Sequence, residues 1–411
     1  MSDFDIAAGA SARLTDVIGV GVLTRLIDRD TVDEVIGRAD RREVRSRLLP
    51  ARVVVYLVLA MCLFTADGYD EVIRKLTNGL RGSRIWQDTW KIPTPSAISQ
   101  ARTRLGHQVM ADLFDRVCVP IASRATVGAW YQQWRVMAID GTVVDVQDTE
   151  VNATEFGYHS PGKSNQSAYP QVRILALVEC GTHAAVAAEF DAIKISERTL
   201  TQRLSYSFTD DMIVLADRGF YSYDLFKAAA ANGAQLLWRI ADNLDLPVLQ
   251  LYPDGSFRSE LLPAKMKAAA KTARTPKNVD AHRIPIRVIE YMVTNRGETQ
   301  TLRLITTLLN YSEAQAESLA ALYQQRWEQE LVFDEVKTHQ LSATRLLRSR
   351  TPDLVKQEIW ALLITHYATH VFITEAADEI GADPDRYSFT KTINIIRSQV
   401  SNQAAFSPLT T

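Results

Sequence analysis

The sequence predicts an α/β protein: a mixed-sheet core, preceded by an all-helical N-terminal region and followed by C-terminal helices. Three observations predict it. Residues 1 to about 125 carry amphipathic stretches, such as LTDVIGVGVLTRLIDRDTVDEVIG and MADLFDRVCVPIASRA, separated by Pro and Gly. From about residue 133 three consecutive strand candidates follow, WRVMAIDGTVVDV, QVRILALVEC and AAVAAEFDAI. Then come an apolar strand ending in an acid (DMIVLADRGF), a helix closed by Gly233 (YDLFKAAAANG) and a fifth strand (AQLLWRI). Three strands followed by strand–helix–strand make a mixed sheet.

Residues 242–312 interrupt this core. They hold a basic cluster, Lys265, Lys267, Lys271, Arg274 and Lys277, and then two strand candidates, HRIPIRVIEYMV and TLRLITTLL, joined by the turn NRGE. The segment predicts a β-rich insertion. Helix is expected to resume with Ser312 as N-cap and to run through LYQQRWEQELVFDEVKTHQL. The expected divisions are therefore 1–125 helical, 126–241 first part of the core, 242–312 insertion, 313–345 second part of the core and 346–411 C-terminal helical region.

A chain of 411 residues exceeds one small core, and 46% hydrophobic with 23% charged residues is an ordinary globular balance. The longest apolar run, VVVYLVLAMCLF at residues 53–64, is 12 residues long, too short for a bilayer and suited to a buried helix. The N-terminus lacks the pattern of a signal peptide. Cys62, Cys118 and Cys180 stand far apart in apolar contexts, as core thiols of a reducing compartment. The net charge of -2 conceals local imbalance, since residues 36–105 hold 13 Lys or Arg against 6 Asp or Glu. Two basic patches on a near-neutral chain suit localised phosphate contact, although solvated faces produce the same pattern.

One helix carries the densest chemistry. At about 100° per residue, Tyr323, Arg326, Glu330 and Lys337 fall on one stripe roughly 60° wide, with Glu328 and Glu335 about 120 to 140° away toward solvent. A carboxylate in line with a phenol, a guanidinium and an ammonium suits a group that holds a cation while its neighbours hold phosphates. Two aspartates join it by position. Asp140 follows VMAI and precedes Gly141-Thr142, and Asp217 follows MIVLA and precedes Arg218-Gly219-Phe220. An acid at the end of a buried strand projects into the crevice where α/β proteins bind ligands, while the plainer reading is a cap on the next element. Three converging carboxylates would repel unless divalent cations neutralised them, and hard oxygen ligands select Mg²⁺ or Mn²⁺. Two such ions could promote an in-line displacement at a phosphodiester.

Asp140-Gly141-Thr142, Asp217-Arg218-Gly219-Phe220 and the spaced set Tyr323, Arg326, Glu330 and Lys337, with Trp327 beside them, resemble the DDE transposases of the insertion sequence 4 family. The resemblance extends to PTPSAISQARTRLG and DLFDRV upstream and to LRSRTPDLVKQEIWALL downstream. It implies an RNase H-like core with a β-rich insertion between the second Asp and the Glu, and an N-terminal helical DNA-binding domain. Metal-dependent cut-and-paste transposition is the implied activity, with a hairpin on the transposon end in some members. Asp140, Asp217 and Glu330 become the catalytic and metal-binding triad for two Mg²⁺ (or Mn²⁺) ions, and Tyr323, Arg326 and Lys337 become contacts to the phosphates of the transposon end. The implied partners are double-stranded DNA, as terminal inverted repeats and target, and a second copy in a homodimer, in a bacterial cytoplasm at the nucleoid; neither membrane nor ATP is expected. Arg218 is read as a DNA contact or as a partner of nearby acids, and Trp327 as a stacking residue for a displaced base or, preferably, as core packing. Arg102 and Arg104 lie on a helix that resembles a DNA recognition helix, with both expected near its exposed end. The alternative reading is a catalytically silent or domesticated DNA-binding protein of the same fold.

GYHSPGKS at residues 157–164 matches the P-loop pattern, but a polar segment precedes it and Pro170 follows closely, so a loop between the first two core strands is expected. The seven histidines show no metal-ligand spacing, and His366 and His370, at i and i+4 in LLITHYATHVFI, are assigned to packing or solvation.

Overall fold

In the computed structural model the described residues are 20–43, 49–78, 91–159, 166–263, 266, 282–295, 298–325, 330–341 and 346–400. After a short 3₁₀ turn at Gly21–Arg25, five helices follow: α1 (Arg29–Arg38), α2 (Ala51–Leu63), α3 (Tyr69–Asn78), α4 (Pro95–Leu105) and α5 (Gln108–Val117). Caps start two of them. Asp28 accepts from the Thr31 amide, and Thr94 accepts from the Ala97 amide with Pro95 in the first turn. The long apolar run is α2, buried from Val53 to Leu63, as its lack of a polar face requires.

The β region opens with β1 (Trp130–Tyr131) and β2 (Trp134–Val146), then α6 (Glu150–Phe156), β3 (Gln171–Glu179), β4 (Ala184–Ala192) and α7 (Glu197–Leu204). It continues with β5 (Met212–Ala216), α8 (Tyr223–Ala231), β6 (Gln235–Ile240), β7 (Gln250–Leu251), β8 (Phe257–Leu261), β9 (Ile284–Asn295) and β10 (Glu298–Thr306). Last come α9 (Ala316–Gln325), α10 (Glu330–Glu335) with a π-helical turn at Val336–Gln340, β11 (Leu346–Leu347), α11 (Pro352–Glu379) and α12 (Phe389–Gln399).

Among the described residues the strands form one sheet in the order β4-β3-β2-β5-β6-β10-β9-β8-β7, with β1 and β11 also on β2. Strands β2, β3 and β4 pair antiparallel, β2, β5 and β6 pair parallel, and β6 onward pairs antiparallel through β10. Alternation along the strands sorts their side chains onto two faces. Met137 and Ile139 of β2 with Val214 and Ala216 of β5 pack with α7 and α8. Val136 and Ala138 with Ile213 and Leu215 pack instead with Leu319, Leu322 and Tyr323 of α9. Further along that second face, Val144 and Val146 join a core made of the N-terminal helices, α10, α11 and α12. This apolar core runs across residues 125 and 346, so the N-terminal and C-terminal helices pack as one layer.

Strands β7 to β10, within the expected insertion, extend the core sheet, because β10 pairs with β6. Three expectations change here. Ser312 is not the N-cap. Its amide and hydroxyl both turn onto Asn310, and helix begins at Ala316, whose amide donates to Asp254 at 3.0 Å. The helix expected through LYQQRWEQELVFDEVKTHQL is not uniform either, since α10 passes into π geometry before Lys337, which breaks a constant 100° step. Asp140 does not end its strand, because β2 continues six residues further to Val146. The basic cluster Lys265, Lys267, Lys271, Arg274 and Lys277 lies outside the described residues.

Candidate active site

Parallel pairing sets the position of the two aspartates. Ala138 of β2 lies opposite Leu215 of β5, and Asp140 and Asp217 each stand two residues further on. Alternation puts both on the face occupied by Val136, Ala138, Ile213 and Leu215, the face that α9 covers. Neighbouring strands are about 4.8 Å apart, so the two carboxylates start from adjacent backbones. Along this face β2 reads Val136, Ala138, then Asp140, Thr142, then Val144, Val146. A polar gap thus separates the apolar cluster under α9 from the cluster under the N-terminal and C-terminal helices.

The surroundings of the gap are polar too. Asp140 Oδ1 accepts from the Gly141 amide at 2.8 Å. A Cβ on Gly141 would meet Leu175 Cδ1 at 3.1 Å, so glycine serves close approach of β3 here and not a turn. Asp217 leads extended backbone into the 3₁₀ turn Arg218–Phe220 and is 40% exposed, open enough to meet a ligand. Thr142 Oγ1 is buried without a hydrogen-bond partner. Arg239, which the sequence reading missed, sits on β6 with Nη1 3.7 Å from Asp217 Oδ1, and its Nε has no hydrogen-bond partner. Its only sequence signal is an arginine inside the apolar strand QLLWRI.

Tyr323 is 1% exposed, and its hydroxyl lies 3.4 Å from both Asp217 Oδ1 and the Ala216 carbonyl oxygen. Buried in this way, its hydroxyl reaches the aspartate. Glu330 stands on α10, a helix packed against β2. Lys337 is half-buried in the π-helical turn, and Arg218 is exposed. Arg326 and Trp327 lie outside the described residues.

Arg102 also requires correction. It is fully buried, donating to Gln357 Oε1 at 2.8 Å, Ser349 Oγ at 3.0 Å, the Leu354 carbonyl at 3.1 Å and Tyr69 Oη at 3.0 Å. A guanidinium satisfied in that way ties α4 to α11 and is closed to DNA. Arg104 is exposed and lines a cleft of about 980 Å³ with Ser96, Ser99, Gln100, Thr103 and Arg350. The segment before the P-loop-like residues is helix α6, not a strand, and residues 160–165 lie outside the described residues. Glu335, expected in solvent, is mostly buried, with Oε2 3.1 Å from His366 Nε2 and 2.9 Å from His370 Nε2.

Two carboxylates at one level, an orphaned hydroxyl and a nearby guanidinium fit hard divalent cations, which take oxygen ligands and leave room for a phosphate. Such a site suits a metal-assisted phosphodiester enzyme. Comparison with known proteins gives the family. Residues 132–367 match the family model described as the transposase DDE domain, and residues 17–115 match the insertion element 4 transposase N-terminal model. The chain therefore belongs to the DDE transposases, whose domain has an RNase H-like fold. It is 24% identical over 383 residues to the transposase InsG for insertion sequence element IS4 of Escherichia coli (strain K12), covering 93% of this chain and 83% of that protein. The putative transposase InsZ of the same organism is 26% identical over 195 residues, 47% of this chain and 62% of InsZ. The chain is an insertion-sequence transposase, an enzyme of metal-dependent DNA cleavage and strand transfer. Among the described residues, no helix is long and apolar enough to cross a membrane.

Proposed function

We propose that Asp140, Asp217 and Glu330 hold two Mg²⁺ or Mn²⁺ ions and carry out cut-and-paste transposition of the element. The observation that carries this reading is the shared level and face of Asp140 and Asp217 on adjacent parallel strands, beside the helix that carries Glu330. Bound divalent ions supply charge neutralisation and Lewis acidity at the scissile phosphate. The protein's own groups do the rest. Tyr323 fixes the orientation of Asp217, acting as a positioning residue. Arg239, Arg326 and Lys337 hold phosphates beside the acids, with guanidinium groups suited to bidentate contact. Arg104 and Arg350, on the cleft lined by α4, hold the duplex further out. A homodimer pairing two transposon ends at the bacterial nucleoid, acting on terminal inverted repeats and then on target DNA, completes the reading, with residues 242–312 as the family's insertion between core segments.

A supercoiled plasmid bearing the element's terminal repeats tests it. With Mg²⁺, wild type should release the element, and Glu330→Gln should bind the ends without cutting them. Cleavage that survives Glu330→Gln or EDTA would sink the mechanism. Wild type that binds ends but never cuts would mark a catalytically silent DNA-binding protein. Binding should weaken steeply with salt through counterion release.

A further inference from the structure

A second polar cluster lies away from the acidic gap. The turn after β3 holds His183 in a left-handed conformation (φ 57°), pointing back among the helices with 6% exposure. His370 of α11 is 4% exposed, and Glu335 is the last residue of α10. One ligand atom from each of His183, Glu335 and His370 lies within 4.8 Å of the others. They border a cavity of about 130 Å³ that Asp385 and Tyr387 also line.

Several details make this a built site. His183 Nε2 is buried and makes no hydrogen bond, although Asp385 Oδ1 lies 3.3 Å away. A buried ring nitrogen held only by that poorly aligned contact gains from a further partner. His370 Nε2 lies 2.9 Å from Glu335 Oε2, so the two ligands already face each other. His366 Nε2, 3.1 Å from the same Glu335 oxygen, orients that carboxylate in turn. Zinc binds imidazole and carboxylate at roughly 2.0–2.2 Å, so its ligand atoms stand about 3.4 Å apart in a tetrahedron. The three ligand atoms, within 4.8 Å of one another, would have to close on the ion, and Asp385, 3.3 Å from His183, would have to turn toward it.

We propose that His183, Glu335 and His370, with Asp385 as the fourth ligand, form a structural zinc site distinct from the acidic triad. Binding replaces a proton on the His370 and Glu335 contact with the ion and releases that proton to solvent. Two imidazoles and two carboxylates suit a borderline first-row ion such as Zn²⁺ and not Mg²⁺, which avoids nitrogen. The site ties the end of α10 to the β3–β4 turn and to α11. Resting on the proposed role of Glu330, this clamp sets the position of the helix on which Glu330 stands.

The full-length protein is stripped with chelator, reloaded with Zn²⁺, gel-filtered and assayed for metal, with a parallel sample carrying Co²⁺. One tightly held zinc per chain is expected, retained in Asp140→Asn/Asp217→Asn and at least tenfold weaker in His183→Gln/His370→Gln. The Co²⁺ protein should show the visible absorption of a tetrahedral ion. Should the histidine variant fail to fold, X-ray absorption at the zinc edge of wild type decides: two imidazole nitrogens support the site, and an all-oxygen shell overturns it. Zinc retained undiminished without both histidines, or not retained by wild type, overturns it also. Metal content is read apart from DNA cleavage, so a failed triad and a failed zinc site give different results.

Discussion

Two polar clusters interrupt otherwise apolar layers of this transposase, and they are assembled in opposite ways. The acidic gap is built from neighbouring parallel strands, so its two aspartates follow similar apolar runs and carry short flanking motifs. The histidine cluster draws on a turn, the end of one helix and the middle of another, and none of these carries a motif. A site made by one element type repeating leaves a trace in the sequence. A site made by the tertiary packing of unlike elements does not.

The comparison can be broken most severely at the acids. Asp217→Asn removes a proposed metal ligand but keeps its shape, and end cleavage should fall about 10³-fold or more, since a metal contributes several kcal/mol to transition-state charge. Binding to the ends in a gel-shift assay should survive, as should the zinc content. If cleavage persists within tenfold of wild type, the acidic gap is not the active site.

Next in size is a stability effect that links the added strands to α9. Asp254 accepts from the amide of Ala316 at the start of α9 and pairs with the fully buried Arg287, which also bonds Ser256 and the Ala314 carbonyl. Asp254→Ala strands that guanidinium and should cost about 3–5 kcal/mol in urea unfolding. Burial raises the Asp254 pKa, but hydrogen bonds from Ser256 and Ala316 and the charge of Arg287 outweigh it, leaving the group below its ordinary value of 3.8. The folded state therefore binds that proton less readily than the unfolded chain. The stabilisation is present above pH 3.8 and fades as pH falls through the lowered value, so Asp254→Asn should differ least from wild type in strong acid.

Smaller effects sharpen the picture. Tyr323→Phe deletes the hydroxyl beside Asp217 and should lower cleavage by about 10-fold to 100-fold, as for other groups that orient a ligand, with little change in end binding. A loss of binding instead of rate would restore the direct phosphate contact. Smallest, Arg104→Ala should weaken DNA binding a few-fold and reduce the salt slope by about 1. Arg102→Ala should instead lower stability, and unchanged unfolding would contradict its place in the core.

Much of the fold was legible because its strands are apolar and sharply bounded. WRVMAIDGTVVDV is β2 residue for residue, and the strand–helix–strand that follows lies where the pattern set it. The continuation of β2 past Asp140 was hidden because an acid followed by glycine resembles a strand end, whereas here glycine leaves room for the Leu175 side chain of β3. Pairing of β10 with β6 has no local signature, since either strand could pair elsewhere. Arg102 and Arg104 look alike in sequence, and only partners some 250 positions away, Ser349, Leu354 and Gln357, decide which is buried. Glu335 looked solvent-facing on a helical wheel because the wheel omits α11, which brings His366 and His370 onto that side.

The central claim is that Asp140 and Asp217 touch the metal that drives cleavage, and changing the ligand atom tests it most directly. Asp217→Cys should be inactive with Mg²⁺, which avoids sulfur, and regain measurable end cleavage with Mn²⁺, which tolerates it. Equal rates in the two metals, or full activity of the cysteine variant in Mg²⁺, would contradict the assignment.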